Sequence, residues 1–387
     1  MKPENHTSYP PLMRCLMFVL LCVVSLGGKA QDSGDGIVME RKGSRLTRLQ
    51  FETRLAWMGE YLDGQMMDEN TGFKGQFFNL RMDGQIVKEL DFSYRQRLNR
   101  RTEQTFWDAT DWVTLTWHVN PHWQLSAGKQ VVAIGGYEYD RAPIDLYYCS
   151  EFWQHIPCYQ LGVSTTWKVN TQHALLLQLC NSPLRPWVGN NQYGVNLMWT
   201  GHVKSWQTLW SYNMMQRGRG EWMCFLALGN RFELTPWMNL EADYTHRGAE
   251  FSKWFTGNFT VAGELNTSPL RSGRYKDALN IFAKYTYDHN KVCEEDLMVR
   301  KNTLLHSMGL GAEFHPIPLA RYRDDLRLFV TATYVWGENA ETTTIHPTAI
   351  VPDDNVLKAG KYYVQAGLKF RFDIRGAIEK MIRNKEQ

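Results

Sequence analysis

Polar and apolar residues alternate with period two along most of this chain. In the segment 110–120, Val113, Leu115, Trp117 and Val119 fall on one face, and Trp112, Thr114, Thr116 and His118 on the other. In 158–169, Tyr159, Leu161, Val163, Thr165 and Trp167 oppose Gln160, Gly162, Ser164, Thr166 and Lys168. The pattern is cleanest in 361–373, where Tyr362, Val364, Ala366, Leu368, Phe370 and Phe372 oppose Lys361, Tyr363, Gln365, Gly367, Lys369, Arg371 and Asp373. Successive side chains of a strand point to opposite sides, so each segment predicts a strand with one apolar and one polar face. Sixteen such segments are predicted, at 48–60, 73–83, 90–98, 110–119, 123–133, 158–169, 173–181, 193–201, 206–215, 221–233, 237–246, 255–265, 278–288, 304–314, 326–336 and 361–373. Two fit the pattern less well: 221–233 carries a continuous apolar run, and 255–265 has little alternation.

The connections alternate in length. Met82-Asp83-Gly84, Asn120-Pro121-His122, Asn170-Thr171-Gln172 and Thr235-Pro236 read as tight turns. Longer links lie between them at 99–109, 134–157, 182–192, 247–254, 289–303 and 337–360. Strands of about 9–11 residues are long enough to cross a bilayer when tilted. Unpaired backbone groups are so costly in lipid that a sheet which spans it must close on itself. The expected fold is therefore all-β: a transmembrane antiparallel β-barrel of about sixteen strands, with short periplasmic turns and long extracellular loops. A barrel of that size is wide enough for an aqueous channel.

The first thirty residues suggest the address. Arg14 is followed by an apolar run from Cys15 to Leu26 and by Gly28-Lys29-Ala30. Charge, short apolar core and a small residue, in that order, read as a cleaved secretory signal peptide at 1–30, with Met13 as a plausible true start. The expected organisation continues with a periplasmic segment at 31–47, a barrel at 48–373 and a periplasmic tail at 374–387. Ile378, Met381 and Ile382 in that tail are spaced like one helix face, but the tail reads as disorder rather than as a small docking helix. No later stretch offers eighteen consecutive apolar residues, which excludes a multi-helix membrane protein.

Composition agrees with a barrel. Fifteen Trp, eighteen Tyr and eighteen Phe occur in a chain of negative mean hydropathy. Aromatic girdles around a polar lumen give that combination. Without the first thirty residues the chain keeps 40 basic and 39 acidic side chains: 43 less Lys2, Arg14 and Lys29, and 40 less Glu4. This balance argues against a nucleic-acid partner. Five cysteines remain beyond residue 30, an odd number without metal-site spacing. Cys149 and Cys158 are close enough in sequence to pair across one loop, or to stay reduced and buried.

The stretch Trp107-Asp108-Ala109-Thr110-Asp111-Trp112 leads to Ala127-Gly128-Lys129-Gln130-Val131-Val132-Ala133-Ile134-Gly135-Gly136-Tyr137-Glu138-Tyr139-Asp140, then to Ala142-Pro143-Ile144-Asp145 and Tyr148-Cys149-Ser150-Glu151-Phe152. It resembles the outer-membrane porin family of Bacteroidetes related to the phosphate-selective porins O and P. The detailed likeness covers about residues 90–165. It implies a homotrimer with a constriction loop, set in outer-membrane lipid and passing small hydrophilic solutes, with a preference for anions or phosphate. The residues from Ile374 onward depart from the family, whose members stop near the last aromatic strand.

Two groups are candidate site residues. The link 134–157 carries Glu138, Asp140, Arg141 and Asp145 behind Gly135-Gly136, which permits a sharp bend. Folded into the lumen, these charges would narrow and polarise the pore; packed on the rim, they would not. The second group is a basic row of Arg81, Arg95 and Arg97, with Lys129 nearby. Lumen arginines can hold oxyanions through forked hydrogen bonds, although Asp83 and Asp91 could neutralise them. Glu52, Glu241, Asp243 and Glu313 also have lumen parity, so neither sign dominates.

No HExxH, GxSxG or P-loop motif is present, and no enzyme, metal or cofactor is expected. The rival readings are a secreted carbohydrate-binding β-sandwich, whose Trp and Tyr would stack on sugars, and a structural outer-membrane barrel that does not conduct.

Overall fold

In the computed structural model, residues 45–99, 105–184, 191–248, 257–294, 296–317, 325–339 and 358–375 are described. The predicted signal peptide and most of the predicted N-terminal segment and C-terminal tail lie outside them. Sixteen long strands follow in order: β1 (Arg45–Leu62), β2 (Gly72–Val87), β3 (Leu90–Arg97), β4 (Thr110–His118), β5 (Trp123–Val131), β6 (Tyr159–Lys168), β7 (His173–Asn181), β8 (Tyr193–Val203), β9 (Trp206–Gly218), β10 (Glu221–Thr235), β11 (Met238–Gly248), β12 (Asn258–Thr267), β13 (Leu279–Asn290), β14 (Thr303–Phe314), β15 (Asp325–Glu338) and β16 (Lys361–Asp373). A two-residue ladder at Gln65–Met66 extends the first hairpin. Each strand pairs antiparallel with its neighbour in sequence, and β16 returns to β1 from Gln50↔Asp373 to Leu62↔Lys361. The sheet therefore closes and leaves no edge. One closed ladder also rules out the β-sandwich, which needs two packed sheets.

Every predicted segment is a strand, with ends shifted by a few residues. The two weak ones have physical explanations. In β10, Met223, Phe225 and Ala227 are buried inside the barrel, while Leu226, Leu228 and Phe232 share the outward rows of Tyr212, Trp210 and Trp206. Both faces of that strand meet apolar surroundings, so its sequence does not alternate. In β12, Phe259, Val261 and Leu265 do alternate with Thr260 and Glu264; only Ala262 and Gly263 blur the pattern.

The barrel is apolar outside and polar inside. Leu115, Leu161, Leu179, Leu197, Leu310 and Val330 are exposed on its outer face, whereas Asn79, Gln178, Asn196 and Asn213 are buried within. Such an exterior is stable only against lipid. Tryptophans cluster outside near the end with the shorter turns: Trp123 stacks on Trp167, and Trp206 and Trp210 both donate their indole N–H to Asn230. An indole with its apolar body in lipid and its N–H satisfied suits an interface. Among the described residues no helix is long and apolar enough to cross a membrane.

Most links at one end are short, as at 88–89, 119–122, 169–172, 204–205 and 236–237. Most at the other are longer, above all 132–158. The exception at this loop end is the tight turn 219–220, with Gly220 at φ 80°.

Candidate functional site

The link 132–158 folds into the barrel. Gly135 donates its N–H to Ser211 Oγ at 2.7 Å, and Gly136 to the carbonyl of Leu209 at 3.0 Å. Backbone thus lies against the inner wall of β9 and β10. Gly136 has φ 103°, and a Cβ on Gly229 of β10 would come within 2.7 Å of its Cα. The approach needs glycine on the loop and on the wall. Two short helices follow, α1 (Tyr137–Asp140) and α2 (Glu151–His155), with a 3-10 turn at Pro143–Asp145 between them. The free N–H of Glu138 is taken by Asp243 Oδ2 at 2.7 Å and that of Glu151 by Asp288 Oδ2 at 2.9 Å. The wall carboxylates thereby satisfy the first turns of both helices.

The predicted loop charges meet opposite charges. Glu138 pairs with Lys284 at 2.6 Å and accepts from Ser150 Oγ at 2.5 Å, tying the two halves of the loop together. Arg141 binds both carboxylate oxygens of Glu264, at 2.5 and 2.6 Å, and also Glu241. Asp145 lies 2.6 Å from both Lys369 and Arg371, and 3.5 Å from Arg327. Burial alone would raise the pKa of Asp145, but Lys369 and then Arg371 hold it well below the usual carboxylate range. Asp140 is exposed. The loop charges therefore act mainly as clamps, rather than as bare charges facing the pore.

The basic row divides. Arg95 lies between Glu52 at 3.3 Å and Asp111 at 3.4 Å, and Arg97 is 2.9 Å from Asp111. Arg81 bridges to Asp83 at 3.0 Å and lies over Trp112. All three are in the lumen wall, and all three are paired with carboxylates. Lys129 is not among them. Its ladder partners Val113 and Leu161 are both exposed on the outer face, so Lys129 belongs to the outward row. There Trp107 shields it, with the Lys129 ammonium donating to the Trp107 carbonyl at 2.8 Å. A lysine on a lipid-facing row needs such cover.

If Arg95 and Asp111 form a neutral unit, deleting both should leave charge preference alone. The double variant Arg95→Gln/Asp111→Asn should show the reversal potential of the parent in a salt gradient. A shift toward cations would restore the arginine row as a selectivity element.

The proposed Cys149–Cys158 bridge is not formed: both thiols are free. Burial pushes Cys149 far above the ordinary thiol range and Cys158 up to about 12, so neither is an available thiolate at neutral pH. Both belong to an apolar cluster that joins Phe152, Trp153 and Ile156 of the loop to Met215, Met223 and Phe225 of the wall, and to Met298 and Val299 of the link after β13. This cluster fills the β9–β10 side of the lumen.

Two of the lumen cavities share Leu146, Tyr147 and Tyr148 in their linings. The outer cavity, of about 360 Å³, faces the loop end beside β1, β2 and β16. The inner one, of about 230 Å³, lies toward the turn end beside β12–β15. Tyr147 is wedged between them. Its ring packs on Phe282 and Phe329, Arg54 and Lys369 lie over it, and its hydroxyl donates to Glu313 at 2.5 Å. Sequence reading did not single out Tyr147, Arg54 or Lys284. Lys369 and Arg371 were on the predicted polar face of the last strand, but nothing local shows that they meet Asp145.

Residues 52–219 match the family model described as phosphate-selective porin O and P. That part of the chain resembles those porins. The matched stretch spans β1 to the end of β9 and includes the whole inward loop. Two solved structures carry the fold further. The anion-selective porin from Comamonas acidovorans superposes with a TM-score of 0.58 at 10% identity, covering 85% of this chain and all of that one. OmpT, an outer membrane protein of Vibrio cholerae, gives 0.54 at 8% identity, covering 87% of this chain and all of its own. At such identities the likeness is one of fold. No curated protein matches the sequence. Among the described residues, no group of side chains could hold a metal ion.

Proposed function

We propose that this protein is an outer-membrane porin, a passive diffusion channel for small hydrophilic solutes with a preference for anions, exported through a signal peptide and assembled as a homotrimer. The observation that carries the reading is the closed sixteen-strand barrel with an apolar exterior and a clamped loop inside that leaves open space in the lumen. The loop end faces outward and the turn end faces the periplasm in this reading. The loop 134–157, beginning at Gly135-Gly136, serves as the constriction. Its charges hold it in place, and its backbone and Tyr147 narrow the passage. A channel rather than an enzyme is the role that the family supports.

Anion preference has two supports: the phosphate-selective family model and the anion-selective porin of similar fold. The arginine row is a weaker support, because its charges are neutralised. Planar-bilayer recording of the refolded protein tests the proposal. Stepwise conductance with a reversal potential of anionic sign is expected in a potassium chloride gradient. A barrel that inserts without conductance would instead be the structural protein of the alternative reading.

A further inference from the structure

The outer cavity differs chemically from the inner one. Charges around the inner cavity balance: Arg141, Lys284 and Arg327 face Asp145, Glu264 and Glu313. The outer cavity is lined mainly by apolar and aromatic groups, among them the rings of Phe77, Tyr147, Tyr148 and Tyr363, together with Arg54, Lys74 and Lys358, the last paired with Glu151. Its one carboxylate, Glu60, is already bound to Lys361. Arg54 is 4% exposed, and no carboxylate lies within ion-pair distance of it among the described residues. One terminal nitrogen donates to the carbonyls of Ile144 and Leu146, at 3.0 and 2.6 Å. Its Nε has no hydrogen-bond partner among the described residues. Lys74, half-buried on the same wall, makes no ion pair among them either.

A buried guanidinium with a spare donor is costly unless something accepts from it. Rings around two cations that make no direct ion pair among the described residues suit a solute that has both a flat apolar body and an anionic head. We propose that the outer cavity is a binding subsite for small aromatic or similarly apolar-bodied carboxylates, with Arg54 and Lys74 holding the carboxylate and the Phe77 and tyrosine rings flanking the body. Inorganic phosphate would satisfy the cations without using the apolar part of the lining. The site thus deepens the porin reading by naming a solute class, and it rests on that reading only for its role in transport.

Benzoate and inorganic phosphate serve as probes, titrated calorimetrically into the detergent-solubilised protein at equal ionic strength. Saturable binding of benzoate, tighter than that of phosphate and weakened about tenfold or more in Arg54→Gln and Lys74→Gln, is the expected result; losing one charged hydrogen bond is worth about that factor. Arg54 also anchors the loop, so the Lys74→Gln variant decides if Arg54→Gln loses the heat-dependent gel mobility of a folded barrel. Phosphate binding as tight as benzoate, no heat with either anion, or benzoate binding unchanged by Lys74→Gln would overturn the proposal. Bilayer recording of the same protein separates the two readings. Benzoate that binds and reduces the chloride current supports both, whereas benzoate that binds a barrel with no current at all leaves the subsite standing and removes the porin.

Discussion

Asp145→Asn should unfasten the loop from the wall. The side chain keeps its shape but loses the charge that meets Lys369, Arg371 and Arg327. Lys369 is fully buried, and Glu313 at 2.7 Å would be its remaining carboxylate partner. Removing one member of a buried ionic cluster costs about 3–5 kcal/mol, because the charges left behind remain desolvated. Sixteen paired strands should survive that loss, while one loop should not stay fixed. The expected record is an intact barrel whose single-channel current flickers between levels, where the parent gives one steady level. A steady current in the variant would show that the loop is held elsewhere. The pH dependence follows from the same cluster. The folded-state pKa of Asp145 lies below its unfolded value. Its contribution is therefore present above the unfolded pKa and is lost only as pH falls through the lower, folded value. The parent channel should stay quiet from neutral pH down to about pH 4, the ordinary range of an aspartate. Flicker that begins well above that pH would assign the clamp to a different group.

Tyr147→Ala should give the largest change in current. The ring borders both cavities and packs against Phe282 and Phe329. Deleting a buried aromatic costs about 3 kcal/mol or more in packing, but here it also joins two spaces into one. A severalfold rise in conductance is expected, with faster entry of larger neutral sugars in liposome swelling. Tyr147→Phe keeps the wedge and loses only the bond to Glu313, which Lys369 and Arg327 also hold. Its current should stay near that of the parent. Equal currents in the alanine variant and the parent would place the narrowest point elsewhere.

The barrel was legible in the sequence because strand alternation is a local property. Each predicted segment could be read without knowing its partner, and closure followed from the cost of an open edge in lipid. Lys129 shows where a legible signal was overlooked. It shares parity with Leu125, Ala127 and Val131, which points it outward, yet its charge and proximity drew it toward the lumen arginines. The clamps are a different case. Asp145 and Lys369 are 224 residues apart, and Arg141 and Glu264 are 123 apart. No local pattern joins such residues. Parity could place Glu52, Glu241, Asp243 and Glu313 inside, but not say which cation each would meet. The same holds for Tyr147, one of several tyrosines in the loop until Phe282, Phe329 and Glu313 are brought around it.

Those long separations also set an order of events. The loop between β5 and β6 is complete in the chain long before its last anchors, Lys369 and Arg371 in β16, are available. Contacts between residues so far apart form slowly, since the intervening chain must first be organised. The Asp145 clamp is thus completed only after β16 is in place, whereas the anchors on Ser211, Asp243, Glu264 and Lys284 need no part of it. A barrel halted just short of that step would carry its plug fastened on one side and loose on the other.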